Sequence, residues 1–390
     1  MDLSSQITNN WVDSLVMLSA RSNIDKSTLQ SYFWNMNTTR FQAKTKTQLL
    51  EYVSTIDPRD YERSRNSLNG KVTYLSPYIT AGVISLTEIK NQILSKNGAR
   101  ESSKLIQELA WRDYFQSVHL SIGGDIFKSI KREQDFGQYQ DMPTAILEGK
   151  TGVRIIDKAI AKLYNTGYLH NHERMWLAML TCNVAGTSWK TGAAWMYYHL
   201  LDGDLASNTL SWQWVAGTFS SKKYFANQEN LNKYGLSDDR QFGTILDKSY
   251  EQLDQESSDK ITPKTLDNHS ELKLQNNTEY LASFFEPADR LSQDNSYFTI
   301  TTITQDLDQK PDPILVFIED KEWLIGKHRI DFVVAQIKLI APNSKLLVVQ
   351  KGDPSHQNII DIPQLERMFP TLTDYYQSFF KFWSKAEKLV

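Results

Sequence analysis

"SKLIQELAWRDYFQSVHLSI" (103–122) decides the fold class of this 390-residue chain. Its apolar residues recur at spacings of three and four, as they do on a helix with a buried face. "TGVRIIDKAIAKLYNTG" (151–167) repeats the pattern and stops at Gly167, a residue that ends helices readily. No convincing period-two strand interrupts residues 1–235, so this part is predicted to be helical and the chain mostly α. From 236 to 310 the sequence turns polar, as in "DQESSDKITPKTLDNHSELKLQNNTEY", and reads as a linker or mobile segment. Residues 311–390 change texture again. "PDPILVFIED" and "SKLLVVQ" read as buried strands around the helical "HRIDFVVAQIKLI", with "IPQLERMF" and "LTDYYQSFFKFWSKAEKL" as further helices. That pattern predicts a small C-terminal β-α-β-α unit, and it lacks a Gly-rich phosphate loop of its own.

Composition excludes several classes. Lys+Arg 43 against Asp+Glu 46 leaves a net charge of -3, so bulk charge does not attract nucleic acid; only a local basic cleft could. The single cysteine, Cys182, rules out an internal disulfide framework and a cysteine-built metal cluster from one chain. "MDLSSQITNNWVDSLVML" has neither a basic leader nor a long apolar run, and no apolar stretch is long enough to span a bilayer. The expectation is a cytoplasmic protein with no membrane partner. Aromatic residues are in excess at 12%, with ten tryptophans.

Four segments carry chemistry. In "KVTYLSPYITAGVISL" (71–86), Ser76 and Pro77 read as an N-cap and first-turn pair, a start that is either an ordinary cap or an anion site. In "ELAWRDYF" (108–115), Glu108, Trp111 and Arg112 share one helix face. They suit a planar polar ligand, or else form an intrahelical ion pair beside a core tryptophan. In "TGYLHNHERMWLAML" (166–180), His170 and His172 point apart and no metal site is expected, whereas Asn171 and Arg174 share a face. In "LLDGDLASNTLSWQWVAG" (200–217), Asp202 and Asp204 need cationic partners if buried, and Arg112 or Arg174 can supply them. Asn208 adds an amide that both donates and accepts.

Together these segments, over residues 58–234, resemble the FAD-binding domain of the DNA photolyase/cryptochrome family, in the family's order and nearly its spacing. The resemblance implies an all-helical domain holding one folded FAD. Thr73 and Ser76 would then contact the FAD phosphates, with Tyr61 on the cofactor's side. Arg112, Asn171, Arg174, Asp202, Asp204 and Asn208 would line the flavin. Asn208 matches the position facing flavin N5, where an asparagine typifies photolyases and an aspartate plant cryptochromes; a neutral amide does not repel an anionic reduced flavin. Glu108, Trp111, Asn171, Met175 and Trp214 would meet the substrate, and Asn171 and Met175 match the cyclobutane-dimer branch. Trp212 and then Trp189 would carry electrons to the flavin. The family's third tryptophan aligns with Phe136, so Tyr139, Trp176 or Trp195 would have to substitute.

Departures from the family pattern also inform. Val72 replaces a usual hydroxyl, and His172 replaces a usual arginine that meets DNA. The family's α/β antenna domain does not precede the helical part, while "HRIDFVVAQIKLIAPNSKLLVVQKGDP" resembles a piece of it, so no antenna chromophore is expected. The implied function is that of a deoxyribodipyrimidine photolyase: light-driven, FAD-dependent repair of cyclobutane pyrimidine dimers in damaged single- or double-stranded DNA. The alternative is a cryptochrome-like blue-light sensor that signals through a protein partner. A flavin oxidoreductase working in the dark is the third reading.

Overall fold

The computed structural model describes residues 41–287, 297–299, 314–319, 323–340, 345–350, 359–360 and 367–390. The chain divides into two units after Ala43, and the second, Lys44–Val390, is described below. Its helices are α1 (Lys46–Thr55), α2 (Pro58–Ser64), α3 (Ser76–Thr80), α4 (Leu86–Ile122), α5 (Thr144–Leu147), α6 (Arg154–Thr166) and α7 (Asn171–Met179). They continue as α8 (Trp189–His199), α9 (Leu205–Ala216), α10 (Gln228–Tyr234), α11 (Tyr250–Ser258), α12 (Thr278–Ala282), α13 (Lys327–Ile340) and α14 (Phe379–Ala386). The fold is mostly helical, as the spacing of 103–122 and 151–167 predicts.

Local sequence accounts for the helix ends. Ser85 and Glu88 form a reciprocal capping box at the start of α4, which is interrupted at Gly98. The helix α6 closes on Gly167 in the left-handed conformation. Asp204 caps α9 by accepting the Ser207 N–H at 2.7 Å. Ser76, expected as an N-cap, is instead the first residue of α3 behind Leu75, and no side chain caps that helix. Its hydroxyl is spent elsewhere, on Asp202.

An apolar cluster lies among α6–α9, and Trp176, Trp195 and Trp212 are each at most 2% exposed within it. Burying one indole stabilises the fold by about 4–6 kcal/mol before entropy is counted. The stretch read as a polar linker from 236 differs in its described part. Leu246, Leu253 and Leu266 are buried in the same cluster. Ser249 and Gln252 cap α11 reciprocally. Strand β2 (His269–Ser270) pairs antiparallel with β1 (Met142–Pro143). Three leucines suffice to anchor a segment whose average composition is polar.

Among the described residues the C-terminal sheet has five strands, all parallel, in the order β3-β6-β5-β4-β7. Strands β5 (Ile314–Glu319) and β6 (Lys345–Gln350) pair in register from Ile314↔Lys345 to Glu319↔Gln350, with α13 as their crossover. Strands β3 (Glu286–Pro287) and β4 (Tyr297–Thr299) precede residue 311, so the sheet begins earlier than the sequence suggests; β7 is Ile359–Ile360. The expected helix "IPQLERMF" falls partly outside the described residues, and Arg367–Phe369 are not helical. The reason is a distant partner: the Met368 N–H donates to Asp113 Oδ1 at 2.8 Å, and Arg367 pairs with the same fully buried carboxylate at 3.3 Å. In the last expected helix only Phe379–Ala386 is α-helical, followed by a 3₁₀ turn at Glu387–Leu389. Among the described residues no helix is long and apolar enough to cross a membrane.

Candidate functional site

The turn between α8 and α9 holds Asp202, Gly203 and Asp204, and each carboxylate meets an arginine from a different helix. Asp202 Oδ2 accepts from Arg174 Nη2 of α7 at 2.8 Å and from the Ser76 hydroxyl at 2.5 Å. Asp204 Oδ2 faces Arg112 Nη2 of α4 at 3.5 Å and accepts from Gln116 Nε2 at 2.6 Å. Thr80 links the two halves: its hydroxyl donates to the Asp202 carbonyl at 3.3 Å and lies 3.3 Å from Arg112 Nη1. Arg174 is fixed further by donating from Nε to the Leu169 carbonyl at 3.0 Å, and its guanidinium lies 5.5 Å over the Tyr168 ring. Asn208, one turn into α9, donates to the Ala193 carbonyl at 3.0 Å.

Charge balance follows burial. Burial alone would raise the Asp204 pKa, but Arg112, Ser207 and Gln116 outweigh it and hold the carboxyl below its ordinary value. Burial likewise works against the Arg174 cation, and Asp202 more than restores it. Beside this cradle, burial pushes His170 and His172 down to about 4, so both rings are neutral at pH 7. His170 caps α7 by accepting the His172 N–H, which accounts for one of them structurally. No group of His, Cys, Asp or Glu among the described residues could hold a metal ion.

Four polar atoms of residues 202–212, Asp202 Oδ1, Ser207 Oγ, Thr209 Oγ1 and Trp212 Nε1, are buried with no partner among the described residues. Buried polar atoms are normally satisfied, so a ligand hydroxyl or ring N–H would complete the Asp202 acceptor. Two guanidiniums, two hydroxyls and one amide also form a donor set suited to a planar group that carries phosphates. The residues present therefore fit a flavin nucleotide.

The aromatic residues separate into two kinds. Trp212 is 2% exposed, and its ring lies so close to Gly192 that a Cβ there would overlap it. Gly192 is one turn along α8 from Trp189, whose ring N–H donates to Ser129 at 3.3 Å. Gln134 accepts the Trp189 backbone N–H at 2.8 Å and donates to the Phe136 carbonyl at 2.9 Å, placing Phe136 beside that tryptophan's backbone. Phe136 itself is 1% exposed, and Tyr139 stacks on His269 at 3.9 Å. Trp214 is half-buried and tilts against Tyr224 at 5.8 Å. Gln213, between the two tryptophans, is structural: it donates to the Ile126 carbonyl and accepts from the Ile130 N–H and the Thr218 hydroxyl.

The remaining expected residues make local contacts of their own. Glu108 sits between Lys104 at 2.8 Å and Arg65 at 3.4 Å, close enough to Tyr61 to help burial raise that phenol's pKa. Asn171 is exposed and donates to Met175 Sδ at 3.4 Å. The Thr73 carbonyl accepts from the Tyr52 hydroxyl at 3.1 Å. Trp111 stacks face to face with Phe379 of α14, with centroids 3.7 Å apart and planes at 11°. One of its faces is thus covered by a residue 268 positions later, which no spacing rule announces. Gln116 and Thr80 were also missed. Gln116 was legible, since it is four residues after Arg112 and eight after Glu108, on the same face.

Residues 105–286 match the family model described as the FAD binding domain of DNA photolyase. A deoxyribodipyrimidine photo-lyase of Streptomyces griseus is 32% identical over 161 residues, covering 41% of this chain and 35% of that protein. A cryptochrome DASH of Danio rerio is 30% identical over 264 residues, covering 63% of this chain and 46% of its own length. The chain thus spans less than half the length of these two relatives. A bacterial class III photolyase from Agrobacterium tumefaciens superposes with a TM-score of 0.44 at 24% identity, covering 52% of this chain and 44% of that one.

Proposed function

We propose that the chain repairs cyclobutane pyrimidine dimers in DNA by light-driven electron transfer, a reading supported by the match of residues 105–286 to the FAD binding domain of DNA photolyase. The observation that carries this reading is the paired cradle at 202–208. It joins two arginine-bound aspartates to a neutral amide, Asn208, and leaves Asp202 Oδ1 buried without a partner among the described residues. When bound in its reduced form, FAD would supply a photoexcited electron that opens the cyclobutane ring and is returned once the pyrimidines separate, so the repair is redox-neutral. Arg112 and Arg174 hold the phosphate-bearing cofactor by charge, with Tyr61, Thr73 and Ser76 nearby and Asp202 and Asp204 keeping both cations oriented. Asn208 places an amide rather than a second negative charge at the redox centre. Glu108 accepts a hydrogen bond from a pyrimidine N–H, and Trp111, Asn171, Met175 and Trp214 wall the dimer. A flipped dimer costs a few kcal/mol to extrude, and stacking on aromatic walls offsets about 1–3 kcal/mol per base. Trp212 and Trp189 would relay electrons toward the bound cofactor.

One observation favours the second reading, a blue-light sensor acting through a protein partner: Phe379 already occupies a face of Trp111. The two separate on a dimer-containing oligonucleotide under a lamp. Fully reduced protein should restore intact pyrimidines only when illuminated. If it repairs no dimer in either single- or double-stranded DNA, the photolyase reading fails and the sensor replaces it.

A further inference from the structure

The start of α13 is built into the helical body around the 202–204 turn. The Gly326 N–H donates to the Tyr198 carbonyl at 2.8 Å, and His328 Nε2 bonds the Tyr164 carbonyl at 2.9 Å. Phe332 meets Tyr78 of α3 edge-on at 5.4 Å. Between these anchors lies Arg329, 4% exposed, with its guanidinium 5.1 Å over the Tyr197 ring. Its Nη1 has no hydrogen-bond partner among the described residues.

The position of that nitrogen is specific. A Cβ built on Gly203 would stand 2.9 Å from Arg329 Nη1 and 2.9 Å from the Tyr197 carbonyl. The cation therefore packs on the backbone of the very residue that separates Asp202 from Asp204, where no side chain fits between. Both aspartates direct their carboxylates to other partners, so Arg329 approaches the turn from its backbone side. A buried guanidinium with an unsatisfied N–H is costly, and an apolar residue would serve packing alone at lower cost. The surplus has a counterpart. Asp202 and Asp204 balance Arg174 and Arg112, so a dinucleotide with two phosphates would leave the closed site negative without a further cation.

We infer that Arg329 is a positioning residue of the flavin site, contributed by the C-terminal α/β unit from outside the matched domain. It steadies the Asp202–Gly203–Asp204 turn from behind and supplies the third positive charge that a diphosphate-bearing cofactor requires. The inference rests on the FAD reading. It also gives the C-terminal unit a role in cofactor retention, carried by α13 rather than by any phosphate loop of its own.

The test is FAD titration of flavin-stripped full-length protein by fluorescence quenching, at low and high salt, for wild type, Arg329→Gln, Arg329→Met and Arg329→Lys. The Gln and Met variants should bind FAD about ten-fold more weakly at low salt. Their affinities should also depend less on salt, and Lys should recover most of the loss. The apoprotein melting temperature of Arg329→Met should equal or exceed that of wild type, because a stranded buried charge is gone. If Gln does not fold, Met against Lys decides: weak binding in Met restored in Lys supports the role, and equal binding in both overturns it. FAD affinity and salt dependence within two-fold of wild type in the neutral variants would make Arg329 a packing residue only. Wild-type apoprotein that binds no FAD removes the flavin reading itself, a failure visible before any variant is compared.

Discussion

Asp202→Ala removes the carboxylate on which one half of the cradle converges. In the folded chain Asp202 Oδ2 holds Arg174 at 2.8 Å and the Ser76 hydroxyl at 2.5 Å, with the Asp202 side chain only 2% exposed. Breaking a buried pair from one side typically costs about 3–5 kcal/mol, chiefly because the other charge is stranded. Here the lower end applies. The Arg174 side chain keeps 24% exposure, its bond to the Leu169 carbonyl and its place over Tyr168, so water and backbone recover part of the loss. A loss of about 3 kcal/mol should lower the apoprotein melting midpoint by several degrees. Arg174→Met in the Asp202→Ala background should restore some stability, since neither charge is then left alone. Thermal melts of wild type, Asp202→Ala, Arg174→Met and the double variant, with and without added FAD, measure both quantities. An Asp202→Ala variant that melts within a degree of wild type and holds FAD equally well would refute the argument that this pair organises the site.

Trp212→Phe should nearly abolish thiol-supported photoreduction of bound FAD, read as loss of the oxidised-flavin absorbance under blue light; equal rates would remove Trp212 from the route. Phe136→Trp, which sequence comparison suggests as a repair of the electron chain, should instead cost about 1–3 kcal/mol. Phe136 is 1% exposed and packs directly on Gly186, so calorimetry should show a lower melting midpoint. Phe379→Ala should free a face of Trp111 and tighten binding of a dimer-containing oligonucleotide by about 1–3 kcal/mol, the worth of one stacked base; unchanged affinity in gel-shift titrations would show that this face is not used. Stability should decline as pH falls from 6.5 toward 4. The unfolded chain takes up protons near 6.5 that His170 and His172, held down to about 4 by burial and by Lys162, Arg65 and Arg174, refuse while folded. His172→Gln should flatten that decline in urea titrations across this window, and an unchanged slope would remove His172 from the account.

Much of the cradle was legible because its parts are local. Glu108, Trp111 and Arg112 announce a helix face by spacing, whereas the cap that Asp204 makes on Ser207 was not read from the sequence. The meeting of those faces was inferred only because buried charges need opposite partners, which Arg174–Asp202 and Arg112–Asp204 provide. What escaped the sequence is long-range. Nothing near Asp113 predicts that a backbone N–H 255 residues later will satisfy it, nor that Phe379 will lie on Trp111. The buried leucines of 246–266 escaped for a different reason: averaged over a polar window, three large side chains vanish, yet each is buried in the core. Ser76 was placed one position off because its hydroxyl found a carboxylate rather than a helix-end amide.

The most direct test of the flavin site is equilibrium titration of flavin-stripped wild-type protein with FAD, followed by visible absorbance and fluorescence. The account predicts saturation at one FAD per chain, with a structured flavin band absent from free cofactor and weakened by Asp202→Ala. Folded wild-type protein that shows no saturable binding would contradict it.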